Sequence, residues 1–595
     1  MMVSGAVIAS PVAASAAPQV SVWQGIMLVP GVSSLNTGQN AGVAALSCTA
    51  PGDCSAGGWY TGSNGTQPFV VDQENGVWGA GHEVSGTASL NGGEQNAVID
   101  TLSCASPGSC GAGGSYTDSS GQTQAFVVDE TNGTWGPARE VPGAGNLNTE
   151  GAAQVSSISC ASPGNCAAGG YYSVQLSGIT QKAAFVADEK NGTWDTAQEV
   201  PGVAALTDGG SSVVTSVSCS AAGDCSAGGS AALSAYVIDE TGGTWGTAQT
   251  VSGLDSLPGS AGQVNSVSCN SPGNCSAVGQ TGAFLGEGFG VTETNGTWGT
   301  AAGLPVPATT PSGDIAAEQP ESVSCASPGN CAAGGMYAIS DPSTLDSLQQ
   351  GGFLVDETNG VWGAPEQVPG LGTLSGEVNS VSCPAAGNCT AAGTLGNQNG
   401  TESAVMTETN GTWSDAQAAL GSGPANVVAA VGGLSCAAVS SCSMGGGYSV
   451  DSGQHSQAVV QDETPVVAVS NVVQVKNRAT GKCLNEDQNT GLLSTYTCLP
   501  GTYVSLRWQV VTYSDGTKDL VSVQTGQSVR DGVVNQQLSL TSTPSPMRFQ
   551  NGGIFRFPDN LVMGVNNQGN FVPVIGSPSN SSLDNVRWDF GSVPA

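Results

Sequence analysis

The sequence predicts an all-β chain whose first 465 residues close into an eight-bladed β-propeller, and three observations carry that expectation. Eight cysteine pairs of the form C-x5-C recur, with first cysteines 56, 56, 59, 50, 56, 58 and 53 residues apart. A steady period of this length marks a repeat architecture. Within each period, short β-prone apolar runs are bounded by Gly, Pro, Asn or Asp, as strands and hairpins are. The eighth repeat and the N-terminus, moreover, read as complementary pieces of one unit.

The third repeat shows the pattern in full. Ser157-Ile158-Ser159-Cys160 is followed by a tight Ala-Ser-Pro-Gly-Asn loop, Cys166-Ala167-Ala168-Gly169-Gly170-Tyr171 and a variable stretch. Ala184-Phe185-Val186-Ala187-Asp188-Glu189, an Asn-Gly turn and a segment led by Trp194 complete it. That is four strands per repeat. Four-stranded units of ~40 to 50 residues, repeated 4 to 8 times, bury both faces by stacking around a ring. A solenoid is the competing architecture.

The termini decide between them. The eighth repeat stops after Gln461-Asp462-Glu463-Thr464, without a Trp-led strand, whereas Val22-Trp23-Gln24-Gly25 and Leu28-Val29-Pro30-Gly31 precede the first cysteine pair. These match Gly192-Thr193-Trp194 and Glu199-Val200-Pro201-Gly202. An N-terminal strand that completes the last blade removes the open edges that invite aggregation. The offset resembles the closure of WD40-type propellers, although no Trp-Asp repeat signature is present. The cysteine strands then lie innermost, with the C-x5-C loops and Asn-Gly turns on one face. The variable loops, such as Ser173 to Gln181 and Ala338 to Gln350, fall on the other, where recognition of a protein partner is expected.

Two strands joined by a five-residue loop bring facing Cα atoms to roughly 4.5 to 5.5 Å, within reach of a disulfide. The expected bridges are Cys48–Cys54, Cys104–Cys110, Cys160–Cys166, Cys219–Cys225, Cys269–Cys275, Cys325–Cys331, Cys383–Cys389 and Cys436–Cys442. Each closes a loop worth ~2 kcal/mol in the loop-entropy treatment. Metal ligation is set aside, because two thiolates leave a zinc tetrahedron half empty and His82 and His455 are the only histidines. No cofactor is expected. So many bridges require an oxidising compartment, hence an extracellular, secreted protein. Residues 1–17 fit a secretion signal remnant, an Ala-rich stretch ending in Ala14-Ser15-Ala16. No stretch long enough to span a bilayer follows.

Charge divides the chain. Residues 1 to 465 hold Arg139, Lys182 and Lys190 against 37 acids, a net of −34, whereas residues 466 to 595 hold nine bases and eight acids. The expected domains are therefore 18–465, the propeller, and 466–595. An acidic disc with three bases repels nucleic acid and anionic membrane surfaces, and both are excluded as partners.

No catalytic set is legible in the repeats. The segment Asp129 to Trp135 loosely resembles the Asp-box turn of sialidases and related secreted bacterial propellers, with Asp129 four residues before Gly133 instead of two. Asn132-Gly133 is a favoured hairpin turn and Trp135 a large apolar anchor. Sialidase chemistry needs an arginine cluster, and Arg139 stands alone. The acids repeated at one position, such as Asp188-Glu189 and Asp356-Glu357, are expected to be solvated hairpin ends. The non-repeated acids Asp255, Asp314, Glu318, Asp341 and Asp346 are the ones to search for a carboxylate pair. Asn-Gly-Thr triplets match the glycosylation pattern but coincide with turn chemistry at five of six places.

The C-terminal part carries a resemblance. Val473-Gln474-Val475-Lys476-Asn477-Arg478-Ala479-Thr480-Gly481-Lys482-Cys483-Leu484-Asn485, Tyr496-Thr497-Cys498 and Leu506-Arg507-Trp508 resemble the first subdomain of a ricin B-type lectin. Further units end at Met547-Arg548-Phe549 and Val586-Arg587-Trp588. The resemblance implies a β-trefoil, a Cys483–Cys498 disulfide, and sugar contacts by Asn485, Tyr496 and Asn585. Asn485 stands where that family places Asp, Ser505-Leu506 replaces its Asn-Gln pair, and Gly564 occupies the Asp position of the third unit. The function expected is that of a secreted, non-catalytic carbohydrate-binding or surface-adhesion protein recognising polysaccharide or glycoconjugate. The alternative is an extracellular glycoside hydrolase or lyase with a propeller catalytic domain and a trefoil binding module.

Overall fold

The computed structural model describes residues 21–592, apart from 25, 64, 93–95, 177, 260–261, 283–285, 306, 308–313, 341–347, 371–374, 398–399, 420–427, 450–454, 470–472, 487–491, 499–503, 514–516, 523–527, 530–536, 542–546, 551–553, 557–561, 566–572 and 577–587. Nearly every regular element among them is a strand. Contacts divide the chain into Trp23–Glu463 and Thr464–Ala595, with Met1–Val22 grouped with the latter.

In Trp23–Glu463, the repeats fold as antiparallel sheets. The third pairs Gln154–Ser162 with Asn165–Leu176 and that strand with Ile179–Lys190; the fourth position is filled by two short pieces, Thr193–Trp194 and Gln198–Glu199. Each first strand carries a β-bulge four residues before its cysteine, as between Val155 and Ser157. The Gly-Gly pair on the second strand answers two close approaches. A Cβ on Gly170 would lie 2.0 Å from the carbonyl oxygen of Gln154, and one on Gly169 would lie 2.5 Å from Val214 of the next repeat.

Asn-Gly turns join third and fourth strands with both residues left-handed, as at Asn132 (φ 51°) and Gly133 (φ 73°). The turn is bound to the cysteine loop of its own repeat. Gly133 N donates to Gly108 O at 2.9 Å, and the same bond recurs from Gly76 to Gly52 and from Gly411 to Gly387.

Neighbouring repeats are joined by a ladder of side-chain bonds. The backbone N–H of each first cysteine donates to a serine Oγ of the preceding repeat: Cys104 to Ser47, Cys160 to Ser103, Cys219 to Ser159, Cys269 to Ser218, Cys325 to Ser268, Cys383 to Ser324 and Cys436 to Ser382. The ladder returns to its start, because Cys48 N donates to Ser435 Oγ at 3.0 Å. The apolar core follows the same path, with Val43 packed on Gly445 and with Val29, Phe69 and Val460 in one cluster. The N-terminal segment pairs with the eighth repeat: Met27 faces Val460, Leu28 faces Val459, and Gln24 N donates to Asp462 O at 2.8 Å.

Among the described residues four single-turn α-helices, Val32–Leu35, Thr87–Leu90, Ala144–Leu147 and Ala204–Thr207, follow fourth strands. The all-strand reading of the repeats missed them. One turn is too short to show a 3.6-residue period, and three of the four start at a left-handed glycine (Gly31, Gly86, Gly143) whose role reads locally as a plain turn.

In Thr464–Ala595, Val473–Asn477 pairs with Trp588–Ser592, Cys483–Glu486 with Leu493–Tyr496, and Trp508–Tyr513 with Lys518–Ser522. Val475, Leu484, Leu493, Trp508, Leu520, Met563 and Trp588 form its core. Both indoles are anchored on backbone: Trp508 Nε1 donates to Leu484 O at 3.1 Å and Trp588 Nε1 to Met563 O at 3.0 Å.

Candidate functional site

All eighteen cysteines are paired as nine disulfides, the eight C-x5-C bridges and Cys483–Cys498. The eight short bridges hold Cα atoms 3.9–4.1 Å apart, closer than the expected spacing, because the loop leaves each repeat through a second bulge just after the first cysteine. Cys325, Cys331 and Glu357 are drawn together, but both sulfurs are spent in the disulfide.

The hairpin of Cys483–Glu486 and Leu493–Tyr496 carries two of the sugar-contact residues. Asn485 faces Ser494 and donates to its Oγ at 2.9 Å, and Tyr496 faces Cys483. Asn485 and Tyr496 are therefore diagonal neighbours on one face of the hairpin. Tyr496 is 55% exposed, with the flat ring available to solvent. Asn585 lies outside the described residues.

The repeated acids are not solvated. Glu130, Glu189, Glu240, Glu293, Glu357, Glu408 and Glu463 are 2–5% exposed. Each sits opposite the second cysteine of its own repeat, as Glu357 faces Cys331. The preceding aspartate is occupied by the next repeat. Trp135 Nε1 donates to Asp72, Trp194 to Asp129, Trp245 to Asp188, Trp298 to Asp239, Trp413 to Asp356, and Trp78 to Asp462, at 2.9–3.3 Å. The sequence placed these acids beside a turn, where solvation is the simple expectation; the tryptophan that bonds each aspartate arrives from 57 to 65 residues further along the chain, or for Asp462 from Trp78 in the first repeat. The Asp–Trp bond thus joins two repeats and does not pin a hairpin within one.

Four cavities of about 200 to 340 Å³ lie at successive junctions of the first five repeats, each lined by cysteine loops, an Asn-Gly or Gly-Gly turn and at least one of these glutamates. Burial raises the carboxyls of Glu130, Glu189, Glu240, Glu293 and Glu408 to about 7, helped in each case by a neighbouring repeat's aspartate.

The non-repeated acids do not assemble a catalytic pair among the described residues. Asp255 is exposed on a 3-10 turn, Leu254–Ser256, and Asp314 opens the strand Asp314–Ser327. Asp341 and Asp346 lie outside the described residues. Glu318 is 1% exposed, and burial, with Glu287 adding repulsion, lifts its carboxyl to about 8.

Two acids that sequence reasoning passed over stand on the first-strand bulges. The position four before the first cysteine reads Ala44, Asp100, Ser156, Thr215, Asn265, Glu321, Asn379 and Gly432. Asp100 is raised to about 6 and Glu321 to about 7, mainly by burial. Asp100 accepts from Gln154 Nε2 at 2.9 Å, Gln154 Oε1 accepts from Tyr171 OH at 3.2 Å, and Lys182 Nζ sits 3.8 Å from the Tyr171 ring centroid. Aligning the repeats on their cysteines and asking which column carries an acid in only a few repeats would have found them, since this one does so in two of eight.

No protein-family model matches the sequence, and no characterised protein sequence matches it. Solved structures resemble it at low similarity. The GH74 xyloglucanase from Xanthomonas campestris shares 11% identity over 96% of this chain and 94% of its own, with a TM-score of 0.30. A PL25 ulvan lyase shares 9% over 61% and 90%, at 0.36, and the designed threefold-symmetric ThreeFoil 15% over 20% and 98%, at 0.18. At these TM-scores none of the three carries weight for fold or activity. Among the described residues no helix is long and apolar enough to cross a membrane.

Proposed function

We propose that this is a secreted carbohydrate-binding protein that adheres to a glycan surface without chemistry of its own. In this reading Trp23–Glu463 is an eight-bladed propeller closed by the N-terminal strand, and Thr464–Ala595 is a β-trefoil of the ricin B type. The cyclic Cys–Ser ladder supports the first assignment. The two indole-to-carbonyl bonds, spanning 24 and 25 residues at matching places, support an internal repeat in the second. Nine disulfides support an oxidising, extracellular setting.

The observation that carries the function is the hairpin face with Tyr496 and Asn485. An exposed aromatic ring offers a planar apolar surface to the C–H face of a sugar, and the Asn485 amide beside it, whose Nδ2 hydrogens go to Ser494 Oγ and Glu486 O, offers its Oδ1 as an acceptor to hydroxyls. The test is a glycan array with the full-length protein and its Tyr496→Ala variant. Binding by the wild type that drops about tenfold or more in the variant, a loss of roughly 1.4 kcal/mol, is the expected result. Binding that ignores the substitution removes the site, and a wild type that binds no glycan removes the function.

A second role, docking of a protein on the variable loops, is favoured by one observation. Leu176, Ile179 and Leu233, at 37%, 61% and 67% exposure, stand at hairpin ends of the third and fourth repeats.

A further inference from the structure

The buried glutamates present an electrostatic problem whose solution is written in the exceptions. At five junctions a glutamate of one repeat feels the charge of an aspartate of the repeat before it: Glu130 that of Asp72, Glu189 of Asp129, Glu240 of Asp188, Glu293 of Asp239 and Glu408 of Asp356. The aspartate already accepts the indole N–H of the glutamate's own repeat. A buried carboxylate repels the part-buried or buried one beside it when both are ionised, and one oxygen of each of Glu130, Glu240 and Glu293 is buried with no hydrogen-bond partner.

Other junctions show what such a site needs. In the first repeat the glutamate position is Gln73, opposite Cys54, and its amide Nε2 donates to Asp462 at 2.8 Å. Glutamine has the shape of a protonated glutamic acid with a donor built in. In the fifth repeat the aspartate position is Thr292, opposite Ser276, and its hydroxyl donates to Glu357, which also takes a bond from Ser276 at 2.6 Å. Wherever one acid of the pair is replaced in these two junctions, the replacement brings a hydrogen to place between the two side chains. The same exchange accounts for Trp362, whose indole N–H has no acceptor once Thr292 stands in place of aspartate.

We propose that the five Asp–Glu junctions each bind one proton, held between the carboxyls as the hydrogen that Gln73 and Thr292 supply elsewhere, so that acid pH locks the repeats together and alkaline pH loosens them. The remaining charges at each site are few. Glu130 also feels Glu74, Glu189 feels Arg139, and Glu240 feels Lys190 and Asp224; Arg139 and Lys190 favour the ionised form and leave those two sites the easier to deprotonate. Glu293 and Glu408 feel no other charge strongly.

The sign of the pH dependence follows. Each of the five glutamates binds its proton more tightly folded, at about 7, than at its ordinary 4.5. Their contribution to stability is complete below 4.5, is lost as pH rises from there through about 7, and is flat above it. A divalent cation could bridge the same pair, yet two carboxylates without further oxygens fall short of the six to eight ligands calcium takes, roughly.

The test compares the thermal midpoint of the full-length protein with that of a variant carrying Glu→Gln at 130, 189, 240, 293 and 408. The wild type should melt about 5 °C or more lower at roughly pH 8.5 than at pH 5, while the variant melts alike at both and matches the wild type at the acid value. Equal pH slopes in the two proteins would overturn the proposal. So would a rise of the wild-type midpoint on adding calcium chloride at the alkaline pH that the variant lacks, since that assigns the sites to a metal. Should the fivefold variant fail to fold, Gln73→Glu gives the converse reading. It creates a sixth pair opposite Asp462 and should steepen the slope, and an unchanged slope counts against the proposal. Infrared difference spectra across neutral pH should also show loss of a protonated carboxylic acid band in the wild type.

Discussion

Tryptophan is used differently in the two units of this chain. In Trp23–Glu463 six of the eight repeated indoles donate to an aspartate from another repeat, so burial of the ring and the charge of its partner are joined. In Thr464–Ala595 Trp508 and Trp588 donate to backbone carbonyls of their own unit and are fully buried. A carbonyl does not titrate. The first device ties repeats to one another and, in the proposed reading, makes the tie responsive to pH, whereas the second anchors its core through bonds whose acceptors carry no titrating group.

The largest expected effect sharpens that contrast from the C-terminal side. Trp508→Ala removes a fully buried ring and strands the Leu484 carbonyl, and should cost roughly 3 to 5 kcal/mol in urea unfolding of the full-length protein. The loss should be the same at about pH 5 and pH 8, within error. A loss that grows or shrinks with pH would break the comparison.

Next in size is Asp356→Ala at about pH 5, which leaves Trp413 Nε1 buried without an acceptor and should cost roughly 1 to 3 kcal/mol. Asp356→Asn keeps an oxygen for the indole and should recover most of it. If the alanine and asparagine variants are equally unstable, the indole bond is not what the aspartate supplies.

Much of this arrangement was legible in the residues, and the part that was not has a physical cause. Cysteine spacing, the Asn-Gly turns and the displaced Trp23 are local or periodic signals, and each has its counterpart in a bond: Cys N–H to Ser Oγ, Gly133 to Gly108, Gln24 to Asp462. The burial of Glu130 and its kin is not local. Glu130 lies beside Asp72 of the repeat before, and the aspartate next to it in sequence, Asp129, is bonded by Trp194 of the repeat after, so a sequence window showed acids by a turn and nothing that covers them. Even so, the exceptions were visible as letters. Thr292 and Thr407 stand where other repeats have aspartate, and Trp362 and Trp23 are the two repeat tryptophans left with a buried, unbonded Nε1. In the C-terminal unit the resemblance pointed to Asn485 and Tyr496, which the hairpin sets on one face, but said nothing of Ser494, which already takes one of the Asn485 amide hydrogens.

A gain of smaller size is expected from Thr407→Asp. Thr407, opposite Thr390, is the aspartate position of the seventh repeat, and by analogy with the other repeats Trp23, whose buried Nε1 has no acceptor, is the indole it would serve. An acceptor placed there should raise stability at about pH 5 by roughly 0.5 to 1.5 kcal/mol. No gain would mean that Trp23 does not occupy the place the other seven repeat tryptophans hold, and the equivalence of the N-terminal strand with them would fail.

The smallest expected change in stability is at the residue on which the functional reading rests. Tyr496 is 55% exposed and sits outside the core of Val475, Leu484 and Trp508, so Tyr496→Ala should move the unfolding free energy by no more than about 0.5 kcal/mol. This separates the two tryptophan-built cores from the surface that meets a ligand. A variant that loses glycan binding at unchanged stability assigns the ring to recognition, because folding is intact and only the contact is gone. A variant destabilised by as much as Asp356→Ala would instead make Tyr496 a structural member of the hairpin, covering the Cys483–Cys498 bridge that it faces, and the carbohydrate reading would lose the observation that carries it.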